Sequence, residues 1–323
     1  MQRLPFARSS FRAFLPLFPR AIESLDVSAY DVVISSSHAV AKGARTHRGQ
    51  LHICYCYTPM RYAWDLQEQY LRQVGLDRGA RGWAARKVLE RLRVWDRSVS
   101  SRVDHFVAIS RHIADRIQRS YGRRSTVIYP PVSIGPTSDP AARTGEYVTV
   151  SHLVPYKRVD LIAQAFRLLP ERELVVIGEG PERARVEALG VPNVRLLGRL
   201  SDKERDHWLA RARAFVFAAE EDFGIALLEA QGHGTPVIAL GLGGASETIR
   251  GLDSAGPTGV LFAEQTAEAI AAAIRAFEAN ETRLRPEACR DNAARFAAPR
   301  FRRELRAFVD ARMSELTAGG AAR

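Results

Sequence analysis

From residue 147 to residue 262 the chain alternates short apolar runs with segments of helical periodicity, and few folds accommodate such a pattern. Apolar runs at 147–150, 174–177, 194–197, 214–217, 236–239 and 259–262 are each too short for a helix and carry the branched and aromatic residues of buried strands. Between them lie helical stretches at 159–169, 181–189, 201–212, 224–232 and 245–251, and two more follow at 267–279 and 283–296. Ser201 and Glu204 form the spacing of a capping box, which fixes where the third helix starts. Strict alternation with short connections predicts an α/β domain with a doubly wound parallel sheet.

The preceding part is less regular. Residues 31–35 and 51–55 read as buried strands, with Ser35, Ser36, Ser37 and His38 as a polar loop at the carboxyl end of the first. Residues 66–103 are mainly helical with a break near 75–82, and 107–110 and 126–129 are short strands around a helix at 111–121 closed by Gly122. The boundaries follow as a first domain over 1–132, a linker over 133–146, a second domain over 147–298 and a C-terminal helix over 299–323. A chain of 323 residues suffices for two domains, at roughly 100–200 residues each. Two parallel-sheet domains joined by one linker predict a ligand cleft between them.

Charge narrows the partners. Lys and Arg number 47 against 36 Asp and Glu, a net +11, which attracts polyanions: diphosphates, anionic lipid or nucleic acid. No nucleic-acid motif accompanies it, so nucleic acid is set aside. No apolar run reaches the roughly 18 residues of a membrane span. The stretch from Trp83 to Val103 sets Val88, Leu92, Trp95 and Val99 opposite Arg86, Arg91 and Arg97. Core packing with a solvated basic face is the first expectation for it, and contact with an anionic membrane the second. Cys54, Cys56 and Cys289 are expected as free thiols; His38, His47 and His52 lack metal-ligand spacing, and no metal site is expected.

Four loops of the second domain, each following a strand, carry chemistry. The strongest is Glu221-Asp-Phe-Gly-Ile-Ala-Leu-Leu-Glu229, where Gly224 stands at a helix start and lets a diphosphate approach the positive end of the helix dipole. Glu221 before the helix and Glu229 within it are placed to accept hydroxyls at two ends of a ligand. Ser151-His-Leu-Val-Pro-Tyr-Lys157-Arg158 brings cations to the same sheet edge, and Gly178-Glu-Gly-Pro181 and Gly241-Leu-Gly-Gly244 are tight turns there. A single glycine loop would be weak evidence; four on one edge are not.

These segments resemble, in order and spacing, the C-terminal domain of glycosyltransferase family 4, the retaining GT-B enzymes. The matching runs are SHLVPYKRVDLIAQAF, VIGEGP, VRLLGRLSDKE, EEDFGIALLEAQGHGTPVIAL and GGASETI, with SSSHAVAKG, HICYCYTPMRYAWD and VDHFVAIS upstream. The upstream runs resemble in particular the bacterial O-antigen and exopolysaccharide mannosyltransferase branch. The resemblance implies two Rossmann-like domains and a C-terminal helix crossing back to the first. It assigns Lys157 to the donor diphosphate, with His152 and Arg158 beside it. Glu221 is assigned to the transferred sugar, Phe223, Gly224 and Ile225 to backbone contacts, and Glu229 to the ribose. Gly178, Gly198 and Arg199 complete the donor side. Tyr57, Ser37, His38 and Arg61 fall on the acceptor side, with Tyr57 near the reacting sugar.

The implied activity is transfer of a hexose, mannose from GDP-mannose first, to a lipid-linked or polysaccharide acceptor in bacterial surface glycan synthesis. The nucleotide sugar is then a substrate, with no cofactor and no metal. Such an enzyme would work in the cytoplasm, at the inner face of the plasma membrane. Three departures from the family pattern stand out: His152 replaces a basic residue, Tyr57 stands where many relatives carry histidine, and no Gly-Gly loop precedes the first strand. For the last, either the start lies upstream or the first domain is truncated. A donor-binding remnant without turnover and, more weakly, a GT-B nucleotide-sugar epimerase are the alternatives.

Overall fold

The computed structural model describes residues 11–134 and 143–321. Two compact units divide the chain, one of residues 1–129 with 303–323 and the other of residues 130–302.

The first unit begins, among the described residues, with a 3-10 turn and helix α1 (Phe18–Glu23). Strands β1 (Val32–Ser37) and β2 (Leu51–Cys56), helices α2 (Gln67–Gln73) and α3 (Gly79–Val99), strand β3 (His105–Ala108), helix α4 (Arg111–Tyr121) and strand β4 (Ser125–Val127) follow. All pair in parallel, in the order β1-β2-β3-β4. β2 is buried along its whole length. β1 differs from the buried strand expected: at the sheet edge it keeps Ile34 and Ser36 exposed. It also runs two residues further, because Ser36 and Ser37 continue the ladder with Tyr55 and Cys56. The third strand starts at His105 instead of 107, and Ser110 leaves it to cap α4 by accepting from the Ile113 amide. Gly122 closes that helix in the left-handed conformation.

A buried ion pair ties this unit together. Lys42, in the turn after β1, meets Asp96 of α3, and both side chains are shut off from water. The other Asp96 oxygen accepts from Trp64 Nε1 at 2.9 Å and from the Tyr121 hydroxyl at 2.7 Å, while Lys42 also donates to the Ala39 carbonyl at 3.0 Å. One carboxylate thereby joins the loops after β1 and β2 to α3 and α4. His52 is a satisfied core histidine, bonded to Ser35 Oγ at 3.0 Å, and burial pushes its pKa down. Cys54, Cys56 and Cys289 are free and buried.

The second unit holds a six-stranded parallel sheet. In chain order its elements are β5 (Tyr147–Val150), α5 (Val159–Arg167), β6 (Leu174–Ile177), α6 (Arg183–Glu187), β7 (Val194–Gly198), α7 (Asp202–Arg211), β8 (Ala214–Phe217), α8 (Ile225–Gly232), β9 (Val237–Leu240), α9 (Ala245–Thr248), β10 (Gly259–Phe262), α10 (Ala267–Ala279) and α11 (Pro286–Ala294). Helix α12 (Ala298–Ala321) follows. Alternate strand residues face two cores: Tyr147, Val176, Val216 and Ile238 pack under α5 and α10, and Val148, Val175, Phe215 and Val237 under α7 and α8. The expected helices at 181–189, 245–251 and 283–296 are shorter in the structure, the last being a 3-10 turn and then α11. Val132, at the end of the expected first domain, and Thr144 of the expected linker are both tied to this unit: the Val132 amide donates to the Phe296 carbonyl and the Thr144 amide to the Arg211 carbonyl. No helix among the described residues is long and apolar enough to cross a membrane.

Removing Asp96 would leave Lys42 buried without a counter-charge and deprive Trp64 and Tyr121 of their acceptor. Asp96→Ala should therefore cost about 3–5 kcal/mol in chemical denaturation; a loss under about 1 kcal/mol would show that the pair carries little.

Candidate functional site

The sheet of the second unit runs β10-β9-β8-β5-β6-β7. From β5 the chain builds outward through β6 and β7, then returns to pair β8 against the other side of β5 and builds outward again. The order reverses between β5 and β8, and the loops leaving those two strands diverge to open a crevice at their carboxyl ends.

The loop after β5 spans residues 151–158. Its backbone lies against the turn after β6, with the Ser151 amide donating to the Ile177 carbonyl at 3.0 Å and the Leu153 amide to the Glu179 carbonyl at 2.9 Å. Such an approach needs Gly178: a Cβ there would sit 1.8 Å from the Ser151 oxygen, at a φ of +137°. Buried Leu153 anchors the loop, and Pro155–Lys157 forms one 3-10 turn.

The loop after β8 ends at Gly224, which takes a φ of +91° to turn the chain into α8. Its middle is fixed from the next strand, since Glu221 bridges Gly243 and the Gly244 amide donates to the Glu221 carbonyl at 2.7 Å. Phe223 is buried against Phe296 at 5.6 Å. Ile225, the first residue of α8, is exposed.

Lys157 and Glu221 meet across the strand order's reversal as an ion pair, each largely shielded from water. The ammonium lies over the rings of Tyr156 and Phe217, at 5.4 and 5.1 Å. A cation, a carboxylate and the start of a helix are thus gathered where a parallel sheet places its ligands, the arrangement suited to a diphosphate beside a hydroxyl-bearing group.

The remaining expected residues are distributed unevenly. His152 is exposed, with Nδ1 2.6 Å from the Glu179 carbonyl oxygen. The Gly178 amide donates to the Gly198 carbonyl at 2.8 Å, so both belong to the same edge, while Arg199 is exposed. Arg158 does not join Lys157: it starts α5 in the left-handed conformation and its guanidinium is engaged by Asp160 at 3.2 Å and Gln265 at 3.3 Å. Glu229 is half-buried on α8; burial pushes its pKa up, opposed by the nearby Arg205 of α7. Gln265 and Arg205 were not singled out by the sequence. Gln265 spans from Arg158 to the Ala218 carbonyl (2.7 Å), a link across 47 residues with no local signal.

In the first unit, Tyr57 follows β2 and is 39% exposed; its hydroxyl accepts from Ser36 Oγ at 3.2 Å and its ring meets Tyr55 edge-on. Ser37, expected on the acceptor side, is instead buried, its hydroxyl turned to the Ala39 carbonyl at 3.3 Å; strand alternation leaves Ser36 as the exposed hydroxyl. His38 is exposed and Arg61 half-buried. Neighbouring Thr58 is held by Arg116, which donates to it at 2.9 Å and pairs with Asp65 at 2.8 Å.

Comparison with known proteins bears on the family and the fold. A family model described as Glycosyl transferases group 1 matches residues 140–296, and one described as Glycosyltransferase Family 4 matches residues 2–135. Phosphatidyl-myo-inositol mannosyltransferase of Propionibacterium freudenreichii is 34% identical over 168 residues, 46% of this chain and 41% of that protein. A GDP-mannose-dependent monoacylated alpha-(1-6)-phosphatidylinositol monomannoside mannosyltransferase of Corynebacterium glutamicum is 29% identical over 47% of this chain and 48% of its own length. Each match thus spans under half of the relative. Among solved structures, sucrose-phosphate synthase from Thermosynechococcus elongatus superposes with a TM-score of 0.73 at 17% identity, covering 95% of this chain and 80% of the other.

The fold is that of the GT-B glycosyltransferases. Within that class, the chain belongs to glycosyltransferase family 4.

Proposed function

We propose that the chain transfers mannose from GDP-mannose, with retention of anomeric configuration, to a lipid-linked acceptor in bacterial surface glycan synthesis. The observation that carries this reading is the Lys157–Glu221 pair at the reversal of the strand order, beside the start of α8. In this reading the donor diphosphate takes Lys157 from Glu221, and the freed carboxylate accepts hydroxyls of the sugar. The Gly224–Ile225 backbone and Lys157 stabilise charge developing on the leaving diphosphate. Glu229 holds the ribose, and Gly198 and Arg199 flank the base. On the first unit, Tyr57, His38 and Arg61 form the acceptor-side set. Mannose and a lipid acceptor are supported by the two relatives named above, both mannosyltransferases of phosphatidylinositol-type lipids by name.

A second reading, donor binding without turnover, is favoured by Arg158, whose engagement with Asp160 and Gln265 turns its guanidinium away from service as a second cation beside Lys157. Assays with GDP-mannose, UDP-glucose and UDP-N-acetylglucosamine against a phosphatidylinositol acceptor separate the two. GDP-mannose should be used preferentially, with an α-linked product by NMR, and Lys157→Ala should lower turnover by about a hundredfold or more. GDP-mannose binding without transfer would support the second reading and overturn the first.

Anionic membrane contact is part of the same proposal. The first unit carries 26 Lys and Arg against 13 Asp and Glu, and the second 21 against 23, so the excess of positive charge lies wholly in the first. On α3, the apolar side holding Leu89, Leu92 and Val99 is buried. Trp83 (65% exposed) and Val94 (67%) share the opposite face with Lys87, Arg91 and Arg97, interrupted by Glu90, which pairs with Lys87. Basic side chains flanking an exposed tryptophan suit the surface of an anionic bilayer. Reversing Lys87, Arg91 and Arg97 to Glu should weaken sedimentation with phosphatidylglycerol vesicles by at least about tenfold. Unchanged binding would remove α3 from the proposal.

A further inference from the structure

The amino-terminal ends of β3 and β4 lie at the opposite edge of the first unit's sheet from the loops that carry Tyr57 and His38. An open pocket of about 620 Å³ sits there, walled by the starts of both strands, the turn before β4 and the 303–323 part of α12. Nothing in the transfer reaction proposed above uses it.

Three guanidinium groups line it. Arg123 is rigidly held: it donates to the carbonyls of Ser100, Val103 and Asp104 at 2.7, 2.7 and 3.0 Å and lies over the Phe106 ring. Those partners are dipoles, and among the described residues no carboxylate pairs with it. Arg124 beside it is exposed and makes no hydrogen bond or ion pair among the described residues. Arg312 reaches in from α12, where Glu315 takes one end of its guanidinium at 2.6 Å. The single carboxylate in the wall, Asp104, is committed elsewhere, accepting from the His52 amide of β2 at 2.8 Å.

Two polar atoms at this wall are also unmet. Ser125 Oγ and Arg312 Nε are shielded from water and have no hydrogen-bond partner among the described residues. Such atoms are rare in folded proteins and call for a reason. His105 stacks edge-on against Phe308 at 6.0 Å, so the floor between the arginines is aromatic. A concave surface with unpaired guanidinium charge concentrates anions, and planar forks match phosphate oxygens two at a time.

We propose that this pocket binds a phosphate-bearing compound, held by Arg124 and Arg312 against the fixed charge of Arg123. The proposal goes beyond the donor reading and does not rest on it. Free small phosphates and the headgroup of an anionic lipid share the chemistry, and the test tells them apart.

Inorganic pyrophosphate is titrated by calorimetry into the full chain carrying Lys157→Ala, which removes the ammonium facing Glu221 in the second unit. Adding Arg124→Glu or Arg312→Glu should each weaken binding by about tenfold or more, the worth of one charge-assisted phosphate contact. Arg97→Glu, an equal charge change on α3, should leave it within about twofold. Arg124 is exposed, so its variant should melt at the wild-type temperature by circular dichroism. Pyrophosphate binding that is absent, insensitive to Arg124→Glu and Arg312→Glu, or equally weakened by Arg97→Glu would overturn the proposal. The same variants are then sedimented with phosphatidylglycerol vesicles. Loss of vesicle binding alongside pyrophosphate binding identifies a lipid headgroup, and retained vesicle binding a free phosphate compound.

Discussion

The parallel pairing of β5 with β8 is the constraint on which the second unit's chemistry depends. Because the chain exhausts one side of β5 before starting on the other, the loops leaving these two neighbours cannot run to a shared next strand. They part, and the side chains they carry face each other instead. Lys157 and Glu221, 64 residues apart in sequence, become an ion pair for that reason alone. The flanking loops brace them: the turn after β6 fixes the lysine loop through Gly178, and the glycines after β9 fix the glutamate loop through Gly244. Under the proposed function, an incoming diphosphate replaces the Glu221 carboxylate as the counter-charge of Lys157.

The first unit achieves order by a different route. Its four-stranded sheet is small, and the loops after β1 and β2 are longer than those of the second unit. Asp96 gathers them through Lys42, Trp64 and Tyr121, so a single buried carboxylate does what close backbone packing does in the other unit. A buried charge of this kind is costly unless every bond is made. Asp96 and its three partners come from four separate elements, which makes the arrangement all-or-none. Outside this core the unit carries exposed basic side chains on α3, at Arg81, Lys87, Arg91 and Arg97, and at the pocket by the start of β4, at Arg124.

Much of this was legible in the sequence, and where it was not the reasons are physical. The second unit's strands at Tyr147–Val150, Leu174–Ile177, Ala214–Phe217 and Gly259–Phe262 are plain because strands buried on both faces are apolar throughout. Helix ends with local chemistry were equally clear: Gly122 after α4, the Ser201–Glu204 box before α7 and the bounds of α10. The edge strand β1 reads two residues short because serines continue its ladder without an apolar signal. Ser37 reads as a loop residue for the same reason, whereas pleating turns it inward. Arg158 adjoins Lys157 in sequence, yet the left-handed turn between the loop and α5 sends its guanidinium to Asp160 and Gln265. Arg205 and Gln265 gain their places only from tertiary packing, which no window of sequence encodes.

The central claim is that the donor binds where the loops after β5, β8 and β9 converge. Amide hydrogen exchange with and without GDP-mannose tests it most directly, since 151–158, 198–199 and 218–229 bear the proposed contacts and 241–248 brace the Glu221 loop. Slowed exchange confined to those segments of the second unit is the predicted result. Exchange unchanged in them, or slowed only at the amino-terminal edge of that sheet, would contradict the account.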